Sequence, residues 1–315
     1  MRIFLTGGAG YIGSVLTEYF LSKKHEVIVL DILRNGSEGV IPFKQNPLYT
    51  FLNTDFNTAL LPIIFKTYSP EIVIHLAAIV GDPNCAKEPE LAKKTNIEGV
   101  RWVTECCNNQ ESIEKLFFAS TCSVYGYNKK TCIESTKTNP LSLYAETKLE
   151  AEEIIRKNSR NGISFRFGTM YGWSPNMRFD LVVNLLTRMA AQQSEFSIFD
   201  GSQLRPFLHP HDLAVFFESL FEEDLSGFTG EVFNLVSENL SMLELGELIE
   251  RTLPYSIMKL DSEKEDNRSY IVRCFKAHSL LGFSPKIRVR EGIQEIESKL
   301  IKQKQVDLSH TSISY

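Results

Sequence analysis

A chain of 315 residues, 43% hydrophobic and 23% charged, has the make-up of a globular protein with room for one large core or two smaller ones. Its net charge of -5 and isoelectric point near 5.8, with no dense basic run, argue against a nucleic-acid or acidic-membrane partner, so positive charge for an anionic ligand must be local. No apolar run approaches the length of a membrane span, and the first strand opens at Arg2 without room for a signal peptide, so the expected location is the cytoplasm.

Ile3, Phe4 and Leu5 predict a buried strand over 2–6, which breaks into Gly7-Gly8-Ala9-Gly10-Tyr11-Ile12-Gly13. A helical pattern over 11–22 follows (Val15, Leu16, Tyr19, Phe20), and a second apolar strand over 26–30 ends in Asp31. This is one complete βαβ unit. Its glycines serve a tight turn, close approach of backbone to a pyrophosphate, and close packing of helix on strand, with the positive end of the helix facing the phosphates. Asp31 is placed to accept hydrogen bonds from a ribose diol and to repel a 2′-phosphate, which favours NAD, while nearby Arg34 leaves NADP open. Gly7, Gly10, Tyr11, Ile12, Gly13 and Asp31 are therefore candidate cofactor-binding residues.

Strands near 49–53, 72–76, 115–119 and 163–167 alternate with helices near 57–67, 90–109 and 143–158. Such alternation predicts a parallel sheet covered on both faces, with ligands beyond the carboxyl ends of its strands. At the third strand's end, Asp55 and the Phe56 N–H are candidates for holding an adenine edge, with helix capping by Asp55 as the competing role. At the fourth, Leu76, Ala77 and Ala78 are small enough for backbone to pass close to a dinucleotide, and His75 reads as a packed histidine. After about residue 168 the alternation degrades. Helices near 179–191, 210–222, 241–251 and 289–302, with strands near 196–199, 207–209, 231–234 and 256–259, suggest a smaller α+β region. Asp212 reads as a helix cap. The six cysteines form no C-x-x-C pair, and His209 and His211 have no third ligand in view, so free thiols and no metal site are expected.

The fifth strand delivers Ser120-Thr121-Cys122-Ser123-Val124-Tyr125-Gly126 to the ligand edge, and Tyr144-Ala145-Glu146-Thr147-Lys148 follows on a helix. Positions four apart share a face, so the Tyr144 phenol and the Lys148 ammonium point into one cleft. The same spacing recurs at Tyr19/Lys23 and Tyr255/Lys259, and what separates Tyr144 is its place after the strand-end hydroxyls and the turn at Pro140. A free tyrosine, with a pKa of about 10, is a poor base at neutral pH. An adjacent ammonium is expected to bring it down, fitting Tyr144 to take a hydroxyl proton.

TGGAGYIG, Asp31, HLAA, STCSVYG and YAETK together resemble the extended branch of the short-chain dehydrogenase/reductase superfamily, NAD-dependent enzymes of the epimerase/dehydratase kind acting on nucleotide-diphosphate sugars. The resemblance implies a Rossmann-type doubly wound parallel sheet with a smaller α+β substrate-binding region. The expected division is 1–167 plus about 205–236 for the cofactor and 168–204 plus 237–315 for the nucleotide sugar. It implies catalysis by Thr121, Tyr144 and Lys148, with Tyr144, Lys148 and Asn96 also around the cofactor. It implies substrate binding by Thr121, Asn184, Arg205 and Arg268, and a homodimer formed through the helices near 90–109 and 143–158. The family's dehydratases carry Asp-Glu directly after the threonine; Cys122 and Ser123 stand here, which speaks against sugar dehydration. The loop IVGDPNCAKEP also departs from the serine-containing loop of the family's epimerases. The leading expectation is an epimerase that transiently oxidises the sugar at C4. Because STCSVYG, SPNMRFDLVVN and DNRSYIV resemble a subgroup that includes GDP-heptose C4 dehydrogenases, net dehydrogenase or 4-ketoreductase chemistry stays open, as does a non-catalytic NAD-binding sensor.

Overall fold

The computed structural model describes residues 1–261 and 269–311. Its strands are β1 (Arg2–Thr6), β2 (Glu26–Leu30), β3 (Tyr49–Leu52), β4 (Ile72–His75), β5 (Lys115–Thr121) and β6 (Gly162–Phe167), then β7 (Thr169–Met170), β8 (Glu195–Phe199), β9 (Leu204–Leu208), β10 (Val232–Leu235), β11 (Glu238–Ser241) and β12 (Ile257–Asp261). The helices are α1 (Tyr11–Ser22), α2 (Leu61–Tyr68), α3 (Asp82–Lys87), α4 (Pro89–Lys93), α5 (Gly99–Asn108), α6 (Leu143–Asn158), α7 (Val182–Gln193), α8 (Pro210–Ser219), α9 (Met242–Thr252), α10 (Phe275–Leu281) and α11 (Val289–Thr311).

Seven strands form one all-parallel sheet in the order β10-β6-β5-β4-β1-β2-β3. Alternate residues of each strand feed opposite faces. Ile3, Leu5, Val29, Phe117 and Phe165 pack with Leu16 and Phe20 of α1 and Leu213 and Phe217 of α8. Phe4, Ile28, Leu116 and Phe118 pack with Val100 and Val103 of α5 and Ala151 and Ile155 of α6. Burial on both faces is why these strands read as unbroken apolar runs. The chain leaves β1 toward β2 on one side and returns at β4 on the other, so a crevice opens above β1 where the winding reverses.

A second region lies beyond β6. Strand β9 pairs with β7 and β11 in a three-stranded sheet, and β8 pairs with β12. Val183, Leu186, Phe196, Ile198, Leu245, Ile249, Val289 and Ile293 make its separate core. The strand expected near 231–234 returns to the edge of the main sheet as β10.

Three local features differ from the sequence expectations. The helix expected from 57 begins at Leu61, because Asp55 and Thr58 side chains accept from the Asn57 and Leu60 N–H groups and hold a turn there. The helix expected from 90 is broken by a π-helical turn over Lys94–Glu98. Asp212 does not cap α8: with Pro210 at its first position, the cap is His209, whose Nδ1 accepts from the His211 N–H. The Asp212 carboxylate accepts instead from the Lys286 and Ile287 N–H groups. All six cysteines are free thiols, and among the described residues no helix is long and apolar enough to cross a membrane.

Candidate active site

Above β1 the glycine loop forms a cradle. Gly7 has φ +71°, and a Cβ there would stand 2.7 Å from the Ala77 nitrogen, so only glycine permits the fourth strand's exit to pass this close. A Cβ on Gly13 would meet the Gly7 oxygen and Gly8 Cα at 2.5 Å, which is how α1 seats against the turn. At Gly10 the nearest obstacle is the Gly7 oxygen at 3.3 Å. Helix α1 starts there without a side-chain cap, leaving the amino-terminal N–H groups of Tyr11 and Ile12 to an anion. Asp31 holds the loop's outer side: its carboxylate accepts from the Ala9 N–H at 3.1 Å and the Leu33 N–H at 2.8 Å, and burial raises its pKa.

Leu76, Ala77 and Ala78 run beside the cradle. The Leu76 N–H donates to the Thr6 carbonyl and the Ala77 N–H to the Thr6 hydroxyl, which also bonds His75 Nδ1 at 2.6 Å. His75 is packed, and burial pulls its pKa to about 3, so the ring is neutral. The Phe56 ring turns inward against His75, leaving its backbone for a ligand, and Asp55 sits in its local turn. Arg34 is paired with Glu88. Backbone donors, an unobstructed glycine face and a carboxylate at the tip of β2 fit a dinucleotide.

The residues expected to be catalytic lie at the end of β5 and on α6. Thr121 ends β5, where its hydroxyl donates to Ser123 Oγ and accepts from the Ser123 N–H, each at 3.1 Å, and it faces the Tyr144 phenol in the first turn of α6 closely enough to lower its pKa. Lys148 lies one turn on, only 3% exposed, with Nζ 4.3 Å from the Phe118 ring centroid. Asn96, buried in the π turn, accepts from the Ile79 N–H and donates to the Ile79 carbonyl and the Thr147 hydroxyl. It thereby fastens the exit of β4 to the helix between Tyr144 and Lys148. Desolvation pushes the phenol up to about 12, with the Arg178 charge and the Thr121 hydrogen bond pulling the other way. Desolvation likewise draws Lys148 down to about 7, opposed chiefly by Glu152. The lowered phenol expected from sequence is thus corrected for the protein alone, because burial outweighs the neighbouring charges.

The Tyr19/Lys23 and Tyr255/Lys259 pairs lie elsewhere, and Tyr125, which stands four before Lys129, has its hydroxyl bonded to Asn234 and Arg166. Lys23 Nζ sits over its own Tyr19 ring, and Tyr255 and Lys259 are turned to Glu297 and Glu195. His209 bonds Glu295 as well as capping α8.

The substrate-side residues divide. Asn184 is fully buried: its carbonyl accepts from the Gly172 N–H, and its amide donates to the Tyr11 hydroxyl and the Arg178 carbonyl. The Tyr11 hydroxyl in turn donates to the Gly172 carbonyl at 2.7 Å, so these two side chains brace the loop after β7 while the Tyr11 backbone stays in the cradle. Arg205, on β9, donates to Gln203 and the Leu204 carbonyl. Arg268 lies outside the described residues. Cys122 turns its thiol to the Arg166 carbonyl, and burial holds that thiol protonated. Two pairings escape sequence reasoning. Ser142 caps α6 while donating to the Asp82 carboxylate at 2.5 Å, and Asn176 donates to the Ala9 carbonyl of the glycine loop at 2.8 Å. A serine two residues after Pro140 signals the cap; its partner across 60 positions has no local signal.

Comparison with known proteins bears on the family and the fold. The chain is 31% identical to a protein called an uncharacterized UDP-glucose epimerase from Bacillus subtilis, over 93% of this chain and 96% of that one. It is 30% identical to a UDP-glucose 4-epimerase of Halalkalibacterium halodurans, over 91% of each. Its fold matches UDP-glucuronic acid 4-epimerase from Bacillus cereus, solved with UDP-glucuronic acid and NAD, at a TM-score of 0.82 and 25% identity over 96% of this chain and 100% of that one. UDP-glucose 4-epimerase from Thermotoga maritima, solved with UDP-glucose, also gives 0.82, at 27% identity over 96% and 99%. With residues 3–235 matching its profile through the seven strands of the parallel sheet, the chain belongs to the NAD dependent epimerase/dehydratase family.

Proposed function

We propose that this enzyme epimerises a nucleotide-diphosphate sugar by transient oxidation at C4. The observation that carries the reading is Thr121 at the end of β5 facing Tyr144, with Lys148 one turn along α6, at the same edge of the parallel sheet as the glycine cradle. NAD, the redox cofactor of the family, would supply the hydride acceptor and donor for the carbinol carbon. Tyr144 removes the hydroxyl proton as oxidation proceeds and returns it on reduction, while Thr121 holds the reacting oxygen. Lys148 supplies positive charge beside the phenol and a donor for the nicotinamide ribose. Inversion then requires the ketone to turn its other face before reduction. Dehydration is disfavoured because Cys122, where the dehydratases carry an acid, is buried and turned away.

The substrate region is assigned to 168–204 plus 237–315 and the cofactor region to 1–167 plus about 205–236. A homodimer through α5 and α6 would be polar, since their exposed positions include Arg101, Glu105, Glu150, Glu153, Arg156 and Lys157. The test incubates the protein and NAD with UDP-, GDP-, CDP- and dTDP-sugars, following nicotinamide absorbance and identifying products by NMR. A configurational change without net NADH is expected. Accumulating NADH would replace epimerase by dehydrogenase. Tyr144→Phe is expected to lose about 10²–10⁴-fold in turnover; unchanged turnover would remove Tyr144 from the chemistry, and no turnover by the native protein on any sugar would favour a sensor.

A further inference from the structure

Arg34 and Glu88 form an ion pair across 54 positions of the chain, and the mechanism above uses neither. Their side chains are 40% and 36% exposed, so the pair contributes little to stability. Its placement says more. Arg34 lies three residues after Asp31 on the loop that leaves β2, and Glu88 joins α3 to α4 on the segment that leaves β4. In the sheet β1 runs between those two strands, so the pair crosses the crevice above β1.

Both partners stand on fastened backbone. The Leu33 N–H donates to Asp31 Oδ1 at 2.8 Å, and the Gly36 N–H closes the next turn on the Leu33 carbonyl at 3.2 Å. A Cβ on Gly39 would overlap the Ala9 oxygen, so the same loop presses directly on the glycine turn. Asn176 ties the two together, donating to the Ala9 carbonyl at 2.8 Å and to the Asn35 carbonyl at 3.4 Å. On the other side the Glu88 N–H donates to the Asn84 carbonyl, and the Glu88 carbonyl accepts from the Ala92 N–H. Arg34 is thus a cation rooted beside the carboxylate assigned to the adenosine ribose.

NADP differs from NAD by a phosphate on that ribose. A free guanidinium grips such a group bidentately. Here the guanidinium already holds a carboxylate, so a 2′-phosphate must displace Glu88 and then lie between two anions, Glu88 and Asp31.

We propose that Glu88 is a specificity-determining residue for the cofactor: by holding Arg34 it withholds the cation a 2′-phosphate needs and sets a second carboxylate against NADP. The chain then selects NAD through this pair as well as through Asp31. The proposal rests on a dinucleotide lying in the glycine cradle, and it holds whichever sugar is the substrate.

The test incubates the holoenzyme with graded mixtures of NAD and NADP until exchange is complete, removes free nucleotide by desalting and quantifies by chromatography what the protein retains. The native protein is expected to retain NAD. Glu88→Gln is expected to raise the retained NADP-to-NAD ratio by about three- to tenfold. Adding Arg34→Met to Glu88→Gln is expected to return the ratio to near its native value, because the freed cation is then gone. A ratio unmoved by Glu88→Gln overturns the proposal. So does a rise that survives the loss of Arg34, since removal of negative charge alone would account for it. Thermal melting, recorded in parallel, separates a purely structural pair, which would lower melting and leave the ratio in place. If the native protein retains neither nucleotide, the cradle assignment fails, and the role of Glu88 with it.

Discussion

Lys148 destabilises the fold that carries it. In the unfolded chain an ammonium titrates near pH 10.4, whereas burial brings the folded group to about 7. Between those values the unfolded chain binds more protons, so this residue makes stability rise with pH across that window and burdens the fold most below about 7. Tyr144 acts in the opposite direction at the alkaline end. Its folded phenol is raised to about 12, so its contribution is lost as pH rises above the ordinary value near 10. Lys148→Met is therefore expected to lose turnover yet gain about 1–4 kcal/mol of stability near pH 6, a gain that shrinks toward pH 10, as denaturant unfolding at the two pH values will measure. The trio was legible in the sequence because two of its members share a helix turn and the third ends a strand. Asn184 was legible only as a position. Its buried partner Tyr11 lies 173 residues away, and no local pattern records that its amide is already engaged.

The π turn over Lys94–Glu98 shows what one element contributes. Inserting it between α4 and α5 places Asn96 where its amide reaches both the Ile79 backbone and Thr147. Widened turns of this sort occur frequently at functional sites. Asn96→Ala would strand the buried Ile79 N–H, leave the Ile79 carbonyl with the Cys85 thiol alone, and free the helix between Tyr144 and Lys148. A loss of about 1–3 kcal/mol in stability is expected, with kcat falling more than KM rises; steady-state kinetics with chemical unfolding will check both. Nothing in KTNIE announces a π turn, which is why the sequence reads as one continuous helix from 90. The strands were easier, since burial on both faces writes itself as apolar runs. Where β9 and β10 pair was harder, because strands of similar length and hydrophobicity join different sheets.

At the scale of the whole molecule, the cofactor loop and the segment after β7 are fastened by buried polar contacts rather than joined by a hinge. Tyr11 bonds Gly172 and Asn184, Ser14 bonds Ser174, and Asn176 reaches the Ala9 carbonyl. Farther out, Glu295 of α11 holds the Trp173 N–H and His209. A ligand contacting residues 172–178 is therefore coupled to the glycine turn after β1. Tyr11→Phe deletes one knot of this seam while leaving the loop backbone intact. It is expected to cost about 1–3 kcal/mol and to split denaturant unfolding by intrinsic fluorescence and circular dichroism into non-coincident transitions. The alternating elements made the parallel sheet readable from sequence, whereas the seam depends on atoms brought together only by the finished fold.

Cys122 directly follows Thr121, yet its sulfur faces the Arg166 carbonyl at 3.4 Å and burial keeps its proton in place. Cys85, packed with Tyr144, is buried too, its thiol raised to about 11. Peroxides and alkylating agents react with exposed thiolates, and neither sulfur offers one. An active site with this lining is expected to keep its turnover after treatment with peroxide or iodoacetamide, as an activity assay before and after exposure will check.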